Sequence, residues 1–355
     1  MAAADPILEV PQRSRLRWGG GEAEVGEASL VAEAVPLGVL GAEDDTTWAD
    51  GGVPLEGAEP VLARGRVGIW GALRCVPLVG FLRFDFAEAT RDGYGDKRIF
   101  ADISQLIDDL WVRWRPARAA ELQLGRGKVP FTKLRQFEEA DDPFGAVPYV
   151  VAEIAPDRRW GLTYLGDLGS VSYAAGAYTD FRALEPDGAD EGAMLFATHA
   201  EWTPIAPMYG SNPPGKIAGA RGPLPTPRTD PWFGTLRVSA GIGALVRVPR
   251  SGSGQLDASL SVHAKWAWAS ALAEVILVDA SEVRLWGELS LTPIDRVSLS
   301  ARVEWQEDLR TGAVSIGYYA TRDRRNKIMF VGWLRRGAAI GDKADGALAV
   351  IQASL

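Results

Sequence analysis

Apolar and polar residues alternate one by one through much of the C-terminal third of the chain. The clearest segment is 236–248, where every second residue is apolar and most of the others are Arg, Ser or Gly, with Leu245 as the interruption. Segment 296–306 has the same pattern, ending with Trp305 on its apolar side. Because successive side chains of a strand leave opposite faces of the pleat, a period of two predicts β-strands.

Similar segments, separated by turn residues, follow one another from about residue 63 to the C-terminus. An N-terminal segment, 27–35, alternates in the same way and is a further candidate strand. The other predicted strands are 63–73, 77–88, 105–115, 119–128, 158–167, 171–180, 192–204, 233–248, 256–266, 270–278, 283–292, 296–306, 313–321, 326–335 and 346–355.

These strands combine an apolar face with a face that carries polar and charged residues. That combination is typical of a transmembrane antiparallel β-barrel, which places lipid outside and water inside. Closed single-chain bacterial barrels use an even number of strands, so including 27–35 gives a barrel of about sixteen strands. A propeller would also contain many short strands, but the sequence shows no fixed repeat period, and a β-sandwich would need fewer strands.

The predicted connections support one barrel with tight turns at one end and longer loops at the other. Short connections include 116–118 and 168–170, whereas 89–104 and 129–157 are long; 336–345 is also expected to be a long loop. Residues 205–232 interrupt this alternation, which indicates either a missed hairpin or an insertion.

Bulk composition excludes several other classes of protein. The mean hydropathy is −0.03, and no segment approaches the ~18 apolar residues of a membrane-spanning helix. The net charge of −8 argues against a nucleic-acid partner. One cysteine and two histidines give no basis for a disulfide or a metal site, and no cofactor is predicted. The 13 tryptophans suit membrane interfaces, although ordinary core packing would also use them.

The sequence divides into two regions. Residues 1–60 are acidic and rich in Gly and Ala, and are expected to supply one strand and a periplasmic arm. Residues 61–355 are expected to form the barrel, with an inward loop at 129–157. No secretory leader is recognisable at the N-terminus, so we expect that it was removed or lies outside this chain.

Four central segments carry a family resemblance. They read Ile-Asp-Asp-Leu-Trp-Val-Arg-Trp-Arg-Pro at 107–116, Leu-Gln-Leu-Gly-Arg-Gly-Lys-Val-Pro-Phe at 122–131, Ala-Pro-Asp-Arg-Arg-Trp-Gly at 155–161 and Ser-Tyr-Ala-Ala-Gly-Ala-Tyr at 172–178. They resemble the phosphate-selective porin O/P family of Gram-negative outer membranes, and a looser similarity covers 63–355. The resemblance implies an outer-membrane homotrimer in contact with lipid, with small anions or phosphate as solutes.

The function of a porin depends on the pore radius and on the charges that line the pore. Loop 129–157 is the candidate constriction, and clustered basic groups would offer charged donors to anions. Alternatively, these groups pair with nearby acids such as Glu138 and Asp141 and give no selectivity. The candidate pore-lining residues are Arg113 and Arg115 in inward phase, Arg126 and Lys128 at the turn into the loop, and Lys133 and Arg135 within it.

Two other functions are considered. A non-conducting structural barrel could serve a larger envelope complex, with residues 1–60 and 205–232 as docking elements for other envelope proteins. An outer-membrane hydrolase could use His263, which is in phase with Ser259 and Ser261. However, a nucleophile needs a base and an orienting group, and Asp257 is the only acid on that face. The sequence therefore predicts a channel and not an enzyme.

Overall fold

In the residues that it describes, the computed structural model is almost entirely β-structure, with one short helix, α1 (Tyr149–Ala152), and seventeen strands. The structure describes residues 15–18, 26–40, 60–73, 78–85, 107–117, 120–134, 143–144, 148–152, 154–156, 158–168, 170–179, 194–205, 232–249, 253–294, 296–307, 309–320, 327–337 and 342–354.

The strands are β1 (Arg15–Trp18), β2 (Gly26–Leu40), β3 (Pro60–Leu73), β4 (Leu78–Asp85), β5 (Ile107–Ala117), β6 (Ala120–Lys128), β7 (Arg158–Asp167), β8 (Val171–Thr179), β9 (Met194–Ile205), β10 (Trp232–Val248), β11 (Gln255–Ala267), β12 (Ala269–Val278), β13 (Glu282–Ile294), β14 (Val297–Gln306), β15 (Leu309–Tyr319), β16 (Lys327–Gly337) and β17 (Asp342–Ser354).

Each strand from β2 to β17 pairs antiparallel with its neighbours in sequence. β9 pairs with β10, and β17 pairs with β2, so these sixteen strands form a ring. β1 pairs with the first residues of β2, from Gly26 to Ser29. The predicted antiparallel barrel of about sixteen strands is confirmed. The candidate strand at 27–35 lies within β2, so the sheet begins before residue 61.

Two rims of the barrel can be distinguished. The terminal rim is the end where β17 finishes at Ser354, and the loop rim is the end where β6 finishes at Lys128. Even-numbered strands from β2 onward run toward the loop rim. β9 and β10 are direct neighbours, so no further strand lies between them in the sheet. Residues 206–231, which connect them, lie outside the described residues.

The expected alternation of short and long connections ends after β9. The loop-rim connections 279–281 and 307–308 are as short as those of the terminal rim, and only 338–341 separate β16 from β17. The expectation of a long loop at 336–345 was therefore wrong. The ladder of β16 and β17 continues to Gly337 and Asp342, which takes up the residues assigned to that loop.

The two faces of the sheet are oriented as the alternation predicts. In β10, Leu236 and Ile242 are 44% and 62% exposed, whereas Arg237 and Ser239 are only 3% and 2% exposed. Along β11 to β16 the outward side chains are likewise mostly apolar, and most of the inward ones are polar. The inward face of β16 is an exception, since it carries Met329, Val331 and Trp333 between Lys327 and Arg335. A broad apolar outer surface is unfavourable in water and suits contact with lipid.

Aromatic side chains are frequent on the outer surface near the terminal rim. Such residues form girdles where a membrane barrel meets the lipid headgroups. Other tryptophans, such as Trp111 and Trp286, are buried on the inner side, so both interpretations of the tryptophan content apply. The exposed rim aromatics are Trp114, Trp202, Trp266, Trp268 and Tyr318.

The hairpin between β12 and β13 contains a strained turn. Asp279 and Ala280 have φ of 46° and 54°, and the Ser281 amide donates to the Val278 carbonyl at 3.0 Å. Turns with two central residues at positive φ favour Asn-Gly or Asp-Gly, because a Cβ is disfavoured there. Ala280→Gly is expected to stabilise the barrel by about 0.5–1 kcal/mol in urea unfolding. Ala273→Gly, in the middle of β12, should instead destabilise it, and equal effects of the two would contradict this explanation.

Candidate pore constriction

One connection at the loop rim extends into the barrel. We call residues 129–156, between β6 and β7, the crossing segment; they are described at 129–134, 143–144, 148–152 and 154–156. Its helix α1 contacts β13 and β14. In the ring of sixteen strands, β14 is eight strands from β6 in either direction. The crossing segment therefore contacts the wall opposite the strand from which it departs.

Apolar contacts attach the crossing segment to an apolar part of the inner wall. They explain the one interruption in the alternation of β10, because Leu245 faces inward and is fully buried against this segment. The segment contributes Val129, Phe131, Leu134, Val150, Val151, Ile154 and Ala155, and the wall contributes Tyr178, Leu195, Ala197, Leu245, Leu272, Ile276 and Trp286.

Three buried glutamates lie in one transverse row of the inner wall. The pairings Glu201–Gly241, Gly241–Ser261, Ser261–Glu274, Glu274–Trp286 and Trp286–Glu304 define this row across β9 to β14. We call Glu201, Glu274 and Glu304 the glutamate row. Because they lie in one row on the inner wall, their carboxylates can accept hydrogen bonds from a segment that enters the lumen.

The glutamate row binds the crossing segment at separate points. The Lys133 ammonium group forms an ion pair with Glu201, and the Lys133 amide donates to Oε1 of Glu274 at 2.8 Å. The Val150 amide donates to Oε2 of Glu304 at 3.3 Å. Buried amides need such acceptors, so these bonds hold the segment against the wall at defined positions.

Further contacts fix the backbone of the segment. Ser259 donates to the Phe131 carbonyl at 3.0 Å, and Arg247 donates to the Ile154 carbonyl. A Cβ at Gly243 would lie 1.9 Å from the Phe131 oxygen, so this close approach requires glycine. On the far wall, the Arg302 guanidinium lies 4.1 Å from the centre of the Phe144 ring.

Two of the sequence-predicted site residues come together on the inner wall near the terminal rim. Arg113 is buried, donates to Gln123 at 2.5 Å and lies 3.4 Å from a carboxylate oxygen of Glu121. Its guanidinium also lies 4.3 Å from the centre of the Trp111 ring. Arg115 forms an ion pair with the same Glu121. Two arginines thus share one carboxylate. This pairing agrees with the alternative considered from the sequence, in which the basic residues pair with acids.

The other predicted site residues are placed elsewhere. Lys133 is buried between the crossing segment and Glu201. Arg126 and Lys128 are half-buried and share the register of Leu122 and Leu124 on the outward face of β6, so the strand register does not place them on the lumen wall. Arg135 lies outside the described residues. The five residues that the structure describes therefore do not form one cluster.

A charged group that sequence reasoning missed lies on the inner wall near the loop rim. Asp109 forms ion pairs with Arg83 and with Arg158, the second at 3.2 Å. The pairing across β4, β5 and β7 joins residues that are distant in the chain, and no local motif marks it.

The residues considered for hydrolysis do not form a catalytic arrangement. His263 shares a 3.0 Å hydrogen bond with Ser270, not with Ser259 or Ser261. Asp257 forms an ion pair with Arg247 and accepts a 3.0 Å hydrogen bond from Gln255. Because it lies six residues from His263 on the same strand, about 20 Å separates them, too far to orient the imidazole.

No helix among the described residues is long and apolar enough to cross a membrane. The inward side chains of β10 to β16 have little contact with solvent, as shown by Arg302, Lys327 and Arg335 at 1–2% exposure.

Comparison with known proteins supports the fold. No protein-family model matches the chain, and no curated protein matches it. Similar solved structures include the anion-selective porin from Comamonas acidovorans, at 13% identity and a TM-score of 0.56, covering 93% of this chain and all of that one. OmpT, an outer membrane protein of Vibrio cholerae in a trimer form, has 11% identity and a TM-score of 0.54, covering 93% and 100%.

A third similar structure is a mutant of the Rh. blastica porin. It has 13% identity and a TM-score of 0.54, covering 92% of this chain and 100% of that chain. The resemblance to porins is thus supported at the level of architecture, without a match to the phosphate-selective O/P family. This chain has the fold of the outer-membrane porin β-barrels.

Proposed function

We propose that this protein is a porin in the outer membrane of a Gram-negative bacterium, forming a channel for passive diffusion of small solutes. The observation that carries the proposal is the crossing segment. It extends from β6 across a polar-walled barrel to β14 and is anchored there by Glu304. A segment that crosses the lumen determines which solutes pass, by size and by charge.

The proposed solutes are small anions, with phosphate as the specific candidate by resemblance. In support, Arg113 and Arg115 lie together on the inner wall, where both pair with the carboxylate of Glu121. Positive charge counts for more in a narrow lumen than in bulk water. The proposed assembly is a homotrimer, for which the trimer form of the similar OmpT structure is the support.

The selectivity proposal predicts a change in reversal potential. In a planar bilayer under a salt gradient, Arg113→Gln with Arg115→Gln should shift the zero-current potential toward cations, with a several-fold change in the permeability ratio. Arg126→Gln is the matched control, because Arg126 lies on the outward register, and should produce no shift. An unchanged potential in the double variant would place Arg113 and Arg115 away from the ion path.

One observation favours a second candidate, a non-conducting structural barrel in a larger envelope complex. The charged inward side chains of β14 and β16 are nearly solvent-free, whereas the wall of a wide aqueous pore would be hydrated. Folded protein that inserts into bilayers and never conducts would support this function. Reproducible conductance steps would support the porin.

A further inference from the structure

The inner wall of β4 and β5 carries a short apolar strip. Val79 and Phe81 on β4 pair with Arg113 and Trp111 on β5, so their side chains share the inward face. Both are half-buried, whereas inward residues of β14 and β16, such as Arg302, are nearly solvent-free. Apolar side chains on this part of the wall therefore remain in contact with the lumen. We call Val79 and Phe81 the apolar strip.

The Phe81 ring is held in place by a second ring and by guanidinium groups. Its centre lies 5.5 Å from that of the Trp111 ring, with 45° between the two planes. The Arg83 guanidinium lies 5.6 Å from the centre of the Phe81 ring and forms an ion pair with Asp109. Arg113 lies over the Trp111 ring, which is only 7% exposed. Phe81 is therefore the more accessible of these two rings.

A charged donor lies at the terminal-rim end of the apolar strip. Arg115 follows Arg113 by two residues on β5, and 17% of its side chain is exposed. Its Nε and Nη2 atoms both donate to Oε1 of Glu121, and these are its hydrogen bonds to residues that the structure describes. A guanidinium group has five N–H donors in a fixed fork. Arg115 can therefore donate to a further acceptor through Nη1.

We propose that the apolar strip and Arg115 form a subsite for aromatic carboxylates in the lumen, an inference that rests on the proposed channel function. The ring of the solute packs on Phe81 and Val79, and its carboxylate accepts hydrogen bonds from Arg115. Tilted or offset aromatic pairs gain stability beyond the apolar area that they bury. Guanidinium donors match the geometry of a carboxylate.

The place of the subsite in the barrel leaves it open to a solute. The apolar contacts of the crossing segment are with the wall between β8 and β13, and none of the wall residues in that cluster belongs to β4 or β5. Along β5, Trp111 and Arg115 are four residues apart, which corresponds to about 13 Å. A single ring on the strip can therefore direct its carboxylate toward the extended Arg115 side chain.

The combination of groups distinguishes between classes of solute. Inorganic phosphate has no apolar surface and gains nothing from the strip. Acetate has the carboxylate but lacks the ring, and benzyl alcohol has the ring but lacks the charge. Because only an aromatic carboxylate uses both the Phe81 ring and the Arg115 donors, it should bind more tightly than any of the three.

Block of single-channel current by benzoate tests this subsite. With chloride as the conducted ion, millimolar benzoate should reduce the current through the native channel, and equal concentrations of acetate or phosphate should reduce it much less. Phe81→Ala should raise the half-blocking concentration of benzoate about three- to tenfold, because the ring contact is lost. Leu82→Ala is the matched control on the outward register of β4 and should leave the block unchanged. Equal block by benzoate and acetate in the native channel would overturn the proposal.

Two further variants separate the ring contact from the charge. Phe81→Leu keeps an apolar side chain of similar size, so it should fold normally and still weaken the benzoate block. Arg115→Gln should raise the half-blocking concentration of benzoate several-fold and leave the weak effect of benzyl alcohol unchanged. If only the Phe81 variants change the block, the strip binds apolar solutes in general and the carboxylate assignment is wrong.

Equilibrium dialysis of labelled benzoate against the folded, detergent-solubilised protein distinguishes failure of the subsite from failure of the channel. The native protein should bind benzoate, and Phe81→Leu should bind it more weakly. A barrel that binds benzoate in this way but never conducts would contradict the porin function alone. A barrel that conducts chloride but shows neither benzoate binding nor block would overturn the subsite alone.

Discussion

Lys133→Met is expected to destabilise the folded barrel by about 3–5 kcal/mol, because it removes one partner of a buried ion pair. Lys133 and Glu201 are both almost fully buried, and the Lys133 amide also donates to Glu274. The variant leaves the Glu201 carboxylate without a cation on the inner wall. Urea unfolding in detergent micelles, followed by heat-modifiable gel migration, would measure the loss.

The double variant Lys133→Met with Glu201→Gln is the control for this experiment. Removing both charges avoids the uncompensated carboxylate, so most of the lost stability should return. Limited proteolysis should show a parallel effect, with cleavage in the crossing segment of the single variant and less in the double variant. If the single variant unfolds at the urea concentration of the native protein, Lys133 does not anchor the segment.

Ile242→Arg is expected to cost about 2–4 kcal/mol of folding stability in lipid, because it places a charge in the hydrocarbon region. Ile242 is 62% exposed on the outward face of β10 and lies six residues before the end of the strand. Folding yield into phosphatidylcholine vesicles, with urea unfolding of the inserted fraction, would measure this cost.

Val248→Arg provides the matched control for depth. Val248 is the last residue of β10 and is exposed on the same face as Ile242. A charge near the headgroups should cost only about 0–1 kcal/mol. Equal losses at the two positions, or no loss at either, would show that this face of β10 does not contact lipid.

The sequence was sufficient to predict the strands, because the different surroundings on the two sides of a barrel wall determine which type of residue stands at each successive position. Lipid outside and polar groups inside require alternation along each strand, and β10 shows it from Leu236 to Val248. The segment at 27–35 followed the same rule and is part of β2. The short connection between β16 and β17 was not foreseen, since the alternation gives no measure of where each strand ends.

The candidate site could be predicted only in part, because it depends on strand register and on a segment that crosses the barrel. Glu201, Glu274 and Glu304 are far apart in sequence, and only the pairings place them in one row. The register also placed Arg126 and Lys128 on the outward face. The one local signal was Leu245, an apolar residue on the polar face of β10. Its contacts show that it marks a place where the crossing segment packs against the inner wall.

Single-channel recording with and without the crossing segment tests the central claim most directly. Residues 131–155 would be replaced by a short Gly-Ser linker, and folding would be verified by heat-modifiable migration. The native protein should show small, reproducible conductance steps, and the shortened variant should show steps several times larger, because the lumen between β6 and β14 is no longer crossed. Conductance that is identical in the two folded proteins, or absent from both, would contradict a porin with this segment as its constriction.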